Sequence, residues 1–141
     1  MEYCYPDELL RGIANNSFID SEGRASALLF QSESSVRYDG LHEISINWYD
    51  DENAFRLLLN QRKKNDETEY QFKTGVAILS RYRLDSLINS PNTKDALSYE
   101  RNIIEGNPFH GNILIKSNID KHVKRMFEGC LAMCVENIQY R

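Results

Sequence analysis

The sequence lacks any long apolar run, has only three cysteines and three prolines, and carries no excess of positive charge. A membrane-spanning helix needs about 20 consecutive apolar residues, so none is expected. The acidic, polar N-terminus has neither the cationic start nor the apolar middle of a secretory signal. An odd number of cysteines favours free thiols in a reducing compartment. We therefore expect a cytoplasmic protein with no membrane partner.

Motifs of cofactor and metal chemistry are absent as well. There is no GxGxxG or GxxxxGK[ST] for phosphate binding, no GxSxG for a hydrolase, and no HExxH, paired CxxC or EF-hand loop. Cys130, Cys134 and His122 resemble a zinc trio, but His122 would lie about 80° around a helix from Cys130. Both cysteines also fall within an apolar stripe, which predicts core positions. The sequence predicts no cofactor and no metal site.

Composition indicates an ordered protein of one domain, residues 1–141. Hydrophobic residues make up 41% and charged residues 27% of the chain, and a chain of this length buries enough surface for a core. The net charge of -4 disfavours nucleic-acid binding. The basic run Arg62-Lys63-Lys64 is followed at once by acidic residues and is interpreted as the solvated end of a helix.

Hydrophobic periodicity predicts nine elements in the order α-β-β-α-β-α-β-β-α. Residues 6–13 are predicted as a short helix, 25–30 and 42–49 as strands, and 52–64 as a helix capped by Asp50 or Asp51. Residues 70–79 are predicted as a strand that is covered on both faces and lies centrally in the sheet. A helix over 81–89 and strands over 96–104 and 110–116 follow.

The last predicted element is a long C-terminal helix that begins at Ser117 or Asn118 and continues to Ile138, with apolar residues every three or four positions. The mixture of hairpins and crossovers favours an α+β fold over a doubly wound sheet. We expect a mainly antiparallel sheet of about five strands with helices packed on it.

His42 and His110 are the candidate catalytic residues, because each stands at the start of a predicted strand. Histidine ionises near neutral pH, so the two rings would form an acid–base pair if their strands were neighbours. Glu100 or Arg81 would assist. A two-histidine phosphoesterase would carry Ser or Thr two positions after each histidine, whereas this chain has Ile44 and Asn112. A structural role is the competing interpretation for both histidines.

Arg81, Arg83, Trp48 and Asn112 are the candidate binding residues. Arg81 and Arg83 follow the most apolar predicted strand, where strand ends often open onto ligand crevices. With Tyr82 between them they would hold an anion or a partner's carboxylate. Solvent exposure at a strand–helix junction is the alternative interpretation. Tyr, Trp and Arg are also the residue types enriched at interface hot spots.

Three segments resemble a pattern in small uncharacterised bacterial proteins: Ala25-Ser26-Ala27-Leu28-Leu29-Phe30, Gly40-Leu41-His42-Glu43-Ile44-Ser45-Ile46-Asn47-Trp48 and Pro108-Phe109-His110-Gly111-Asn112-Ile113. That pattern runs small-S-x-x-F, then G-L-S-V-N-W or similar, then P-x-H-A-x-I. The resemblance covers at most about a quarter of the chain, and Gly111 stands where alanine is usual. It implies a bacterial, stand-alone domain and, by association, an accessory subunit of a mobile-element or phage-defence system. It assigns no catalytic residue.

The leading hypothesis is therefore a non-enzymatic interaction subunit that binds another protein subunit. A small hydrolase or nuclease-like enzyme using His42 and His110 is the alternative. A nucleic-acid binder is the least favoured, and a homo-oligomer is left open.

Overall fold

The computed structural model describes residues 4–32, 35–93 and 95–141. These residues form eight strands, three α-helices and two short 3₁₀ helices at Asn16–Phe18 and Ala27–Phe30. The strands are β1 (Glu8–Ile13), β2 (Leu41–Trp48), β3 (Arg62–Lys63), β4 (Asp66–Tyr70), β5 (Gly75–Ser80), β6 (Leu97–Arg101), β7 (His110–Lys116) and β8 (Val135–Tyr140). The helices are α1 (Glu52–Asn60), α2 (Arg81–Ile88) and α3 (Lys121–Ala132).

Six strands form one sheet in the order β6-β7-β2-β1-β5-β8, and β3 and β4 form a separate hairpin. Every neighbouring pair in the large sheet is antiparallel. The expected α+β fold with an antiparallel sheet is confirmed, with six strands where about five were expected.

The sheet is covered on two faces by different helices. On the first face, α2, α3 and the 3₁₀ helix Ala27–Phe30 pack over Ile46, Leu79 and Ile113 and form the first core. On the second face, α1 packs over Leu10 and Val76. Alternation along the strands sends consecutive residues to opposite faces, so both cores draw on the same strands.

Several local predictions are confirmed. Strand β2 begins one residue before its predicted start and ends one residue before its predicted end. The Asp51 side chain accepts a hydrogen bond from the Asn53 backbone N–H and caps α1. Helix α2 and strand β7 lie where the pattern placed them. These segments have clear periodicity or a capping residue.

The first two elements were predicted wrongly. Residues 8–13 form strand β1. Leu9 and Ile13 face one core while Leu10 faces the other. Because the strand is buried on both faces, its sequence lacks the apolar–polar alternation that marks a strand. Residues 27–30 form a 3₁₀ helix because the Ser26 side chain accepts the Leu28 N–H and starts a turn.

The predicted strand over 70–79 is broken: Tyr70 ends β4, residues 71–74 form a turn, and β5 begins at Gly75. Strand β5 is buried at every position, as expected, but it lies second from the sheet edge, so its predicted central position is wrong. Gly75 has a φ of 149°, and a Cβ there would overlap the Gln139 carbonyl of the neighbouring strand.

Arg62 and Lys63 form strand β3 of a hairpin, so they are not the end of α1.

The predicted long C-terminal helix is wrong. Asp120 caps α3, the helix ends at Ala132 after 12 residues, and the chain then turns back as β8. Val135, Ile138 and Tyr140 are β-branched or aromatic residues of the kind enriched in strands. Strand β8 therefore lies at the edge of the sheet, beside the end of α3.

Candidate functional site: an exposed sheet edge and its cleft

His42 and His110 lie on neighbouring strands but do not meet. In the antiparallel register of β2 and β7, His42 stands opposite Ile115 and His110 stands opposite Asn47. Five residue steps therefore separate them, about 17 Å at roughly 3.4 Å per residue. General acid–base catalysis requires hydrogen-bond range. Their strands are neighbours, as an acid–base pair would require, but this separation is too long for the two rings to act together.

Each histidine ring contacts a nearby backbone carbonyl. The Nδ1 atom of His42 lies 3.1 Å from the Ser35 carbonyl oxygen, and that of His110 lies 2.9 Å from the Asn102 carbonyl oxygen. Because a carbonyl oxygen can only accept, the Nδ1–H group is the donor in both contacts. Both rings hold a loop against the end of a strand.

Trp48, a candidate binding residue, lies wholly within the first core. Its side chain is fully buried and its ring packs 4.5 Å from that of Tyr5 and 5.2 Å from that of Tyr99, between centroids. The indole Nε1–H donates to the Glu100 carbonyl oxygen at 3.1 Å. Trp48 therefore presents no face to a ligand in this arrangement.

Asn112 lies beneath a polar cluster on the second face of the sheet. Its Nδ2 donates to Oε2 of Glu100 at 2.8 Å, and Nη1 of Arg37 donates to the same oxygen at 2.9 Å. The Oδ1 atom of Asn112 is buried, and no described protein group bonds to it. The structure brings together Asn112 and Glu100, both singled out in the sequence, but the charge of Glu100 is already balanced by Arg37.

Arg81 and Arg83 are each held by neighbouring elements. Arg81 donates to the Asp85 carboxylate at 2.8 Å and to the Pro6 carbonyl oxygen at 2.8 Å. Arg83 lies 3.8 Å from the Glu136 carboxylate. The two guanidinium groups thus fasten α2 to different neighbours and do not form a joint anion cradle.

The cysteines are all free thiols. Cys134 is buried in the first core, and burial, with a smaller effect of Cys130, raises the pKa of its thiol to about 11. A thiol with such a pKa is protonated at neutral pH and is not an activated nucleophile. Among the described side chains, no group of three or more His, Cys, Asp or Glu could hold a metal ion.

A cleft of about 750 Å³ lies along β8, at a place that the sequence analysis did not identify. We call it the β8 cleft. Strand β8 forms one wall, the end of α3 forms the floor, and the turn over residues 20–27 contributes the other wall. Its apolar lining is Ala25, Ala27, Gly129, Ala132, Met133, Val135, Ile138 and Tyr140.

The turn that forms the second wall is held by its own hydrogen bonds. Ile19 and Ala25 form an antiparallel bridge, and the Asp20 N–H donates to the Arg24 carbonyl oxygen at 2.8 Å. The Asp20 carboxylate accepts the backbone N–H groups of Arg24 and Glu22 at 2.9 Å, and chiefly the Arg24 N–H lowers its pKa. The wall is therefore a pre-formed hairpin turn.

Two residues of β8 turn their backbone polar groups away from the sheet. The Arg141 N–H donates to the Thr74 carbonyl oxygen at 3.1 Å, which marks a hydrogen-bonded pair of the antiparallel ladder. Because hydrogen-bonded and open pairs alternate in this register, Ile138 and Tyr140 occupy open pairs. Their N–H and C=O groups point to the outer edge, where no further strand of the described part of the chain follows β8 in the sheet order.

The side chains around this edge are unusually exposed for apolar residues. Met133 is 77% exposed and Tyr140 is 59% exposed. Met126 lies seven residues before Met133 on the same side of α3 and is 59% exposed. Exposed methionine and aromatic side chains beside small alanine and glycine residues offer an adaptable apolar surface.

The edge was missed because the sequence analysis continued α3 through β8. Ile138 lies four residues after Cys134 and therefore also satisfies helical spacing. The strand propensity of Val135, Ile138 and Tyr140, after the Gly129 interruption, was the signal that favoured a strand.

No protein-family model, no curated protein and no solved structure matches this chain. Within the described ranges, no helix is long and apolar enough to cross a membrane. The function has to be inferred from the residues of the chain itself.

Proposed function

We propose that the protein is a non-enzymatic interaction subunit that binds an extended segment of a partner protein along β8. The observation that carries this proposal is the outward orientation of the Ile138 and Tyr140 backbone groups beside the β8 cleft. An added strand would take its affinity from backbone hydrogen bonds and its specificity from side-chain pockets.

The lining of the β8 cleft favours an apolar segment. Ala27 and Ala132 are small, so they leave room for side chains of the bound segment, and Met133 can adjust its conformation around them. An antiparallel or parallel strand places alternate side chains on the same face as Ile138, which is the face on which α3 ends. The expected segment therefore carries apolar residues at alternate positions.

A segment of another protein suits the edge better than a second copy of this chain. Stable protein interfaces use roughly 20–30 residues on each side, whereas β8 has six residues. An interface formed by two paired β8 strands would contain few residues beyond the strands themselves. A flexible segment can enter the cleft and contact the strand, the floor and the opposite wall together.

The cellular setting is part of the same proposal. The free thiols agree with a reducing cytoplasm. We further propose, from the resemblance noted above, that the protein acts as an accessory subunit of a bacterial multi-protein system, such as a mobile-element or phage-defence cluster.

Site-specific photo-crosslinking tests the proposal. A photoreactive residue at position 133 should crosslink a partner protein in cells, while the same residue at position 56, exposed on α1 on the opposite face, should not. The crosslinked partner is then purified and its affinity measured with the isolated chain. Equal crosslinking from both positions would argue against binding at the β8 cleft.

Tyr140→Pro and Tyr140→Ala separate backbone pairing from side-chain contact. Both variants lose the ring, but only proline removes the outward N–H, and proline is tolerated on edge strands where the N–H faces solvent. We expect Tyr140→Pro to bind the partner about tenfold more weakly than Tyr140→Ala. Equal affinity of the two variants, both folded by circular dichroism, contradicts strand addition.

A further inference from the structure

The outward N–H of Ile138 already has a partner within the chain. It donates to Oδ1 of Asn137 at 2.9 Å. Asn137 is exposed and borders the β8 cleft. The side chain of Asn137 therefore occupies the position where the carbonyl oxygen of an added strand would have to lie.

We infer that the Asn137 side chain, which we call the guard, suppresses pairing of β8 with a second copy of this chain by holding the Ile138 N–H. A single extended partner segment with an apolar residue opposite Ile138 can still bind. This inference rests on the proposed function, because it assigns a specificity role within the same cleft.

The guard acts by competition for one hydrogen bond. A partner carbonyl can accept from Ile138 only after Asn137 releases the N–H, so binding exchanges one hydrogen bond for another. A typical intramolecular hydrogen bond of this kind changes an equilibrium by about two- to tenfold. Asn137 lowers the affinity of a partner segment by that factor and leaves binding possible.

Pairing with a second copy of the chain displaces two guard hydrogen bonds. A two-fold symmetric pair of β8 strands presents the same residues from both chains, so two Asn137 side chains must release two Ile138 N–H groups. The two factors multiply, and self-pairing is weakened by about four- to a hundredfold. A partner segment that has no such guard is affected once, which is the physical basis of the discrimination.

The length of β8 that is free of a bulge limits how many residues of a bound segment can pair with it. The register of β5 and β8 shifts between Ile78 and Leu79, opposite the start of β8. A bulge ends regular pairing and bends the strand, so regular strand addition is confined to Asn137 through Tyr140. The residue that pairs with Ile138 projects on the same face as the Ile138 side chain and meets the apolar floor at Ala132 and Met133.

The test uses the full chain and peptides selected against it from a random ten-residue display library. Asn137→Ala should bind a selected peptide about two- to tenfold more tightly than the unchanged chain in fluorescence anisotropy. Asn137→Asp keeps an acceptor oxygen and makes the hydrogen bond charge-assisted, so it should bind the peptide more weakly. Gln139→Ala, on the same side of β8 as Asn137, is the matched control and should change neither property.

Sedimentation over a concentration series measures self-association of the same variants. Asn137→Ala should dimerise about four- to a hundredfold more strongly than the unchanged chain, and Tyr140→Pro added to it should abolish that gain. If selected peptides depend on the Tyr140 N–H but Asn137→Ala changes neither affinity nor dimerisation, the guard is rejected and the proposed function stands. If no peptide is enriched, or if peptides bind Tyr140→Pro and Tyr140→Ala equally, the proposed function is rejected. The inference that a partner segment binds beside Asn137 is then rejected with it.

Discussion

Gly111 leaves the space that the Trp48 side chain occupies beside β7. A Cβ at position 111 would overlap the Trp48 indole nitrogen and the Glu100 carbonyl oxygen, which are themselves hydrogen-bonded. The fully buried Trp48 ring is the physical reason for glycine here.

Gly111→Ala should therefore destabilise the protein by about 1–3 kcal/mol, because the added methyl overpacks a core whose neighbours cannot move freely. Gly129→Ala is the matched control. No atom of the described residues lies within 4 Å of a Cβ built at Gly129, and alanine in a helix should stabilise the protein by about 0.5–1 kcal/mol. Urea unfolding of both variants measures the two changes, and a loss of equal size in both would contradict the role assigned to Trp48.

At the scale of elements, a part-buried hydrogen bond joins α2 to β6. The Tyr99 hydroxyl donates to the Asp85 carboxylate at 2.7 Å, and Arg81 holds the other carboxylate oxygen at 2.8 Å. Burial, and then the hydrogen bond to Asp85, raise the pKa of Tyr99 to about 12. An unfolded tyrosine has a pKa near 10, so the protonated phenol is the form that the fold favours.

The stabilisation from Tyr99 should be complete below about pH 10 and should decline as the pH rises towards 12, because the unfolded chain loses the phenol proton first. The difference in unfolding free energy between the unchanged chain and Tyr99→Phe isolates this effect from the other tyrosines. We expect that difference to be constant from pH 7 to 9 and to shrink above about pH 10. A difference that stays constant to pH 12 would show that Tyr99 ionises equally in both states.

The elements also show why sequence periodicity succeeded in some places and failed in others. Strand β2 has one apolar and one polar face over most of its length, so alternation predicted it. Strand β1 supplies both cores, and its apolar residues therefore matched a helical stripe. Strand β8 follows α3 with compatible spacing, so the helix was extended through it. Local pattern cannot separate these cases without knowledge of the neighbours.

At the scale of the whole molecule, sheet order separates the two predicted histidines from the β8 cleft. β2 lies three strands and β7 four strands away from β8, which is about 14 and 19 Å at roughly 4.8 Å per strand. His42→Ala combined with His110→Ala should leave partner or peptide binding unchanged. Each substitution removes the contact of the ring to a loop carbonyl, so stability should fall by about 0.5–1.5 kcal/mol per histidine.

Thermal unfolding and peptide anisotropy on the double variant measure these two outcomes. A loss of binding in a folded double variant would mean that the histidines, and not the β8 edge, carry the interaction.

The sequence by itself determined the class of fold, several element positions and the absence of strong cofactor motifs, because capping, periodicity and composition are local properties of the chain. The tertiary structure alone decided that His42 and His110 stand apart, that β1 lies inside the sheet and that β8 lies at its edge. Strand order and register depend on burial summed over many distant partners. The outward N–H groups of Ile138 and Tyr140 face no neighbouring strand because, among the described residues, β8 is the last strand in the sheet order.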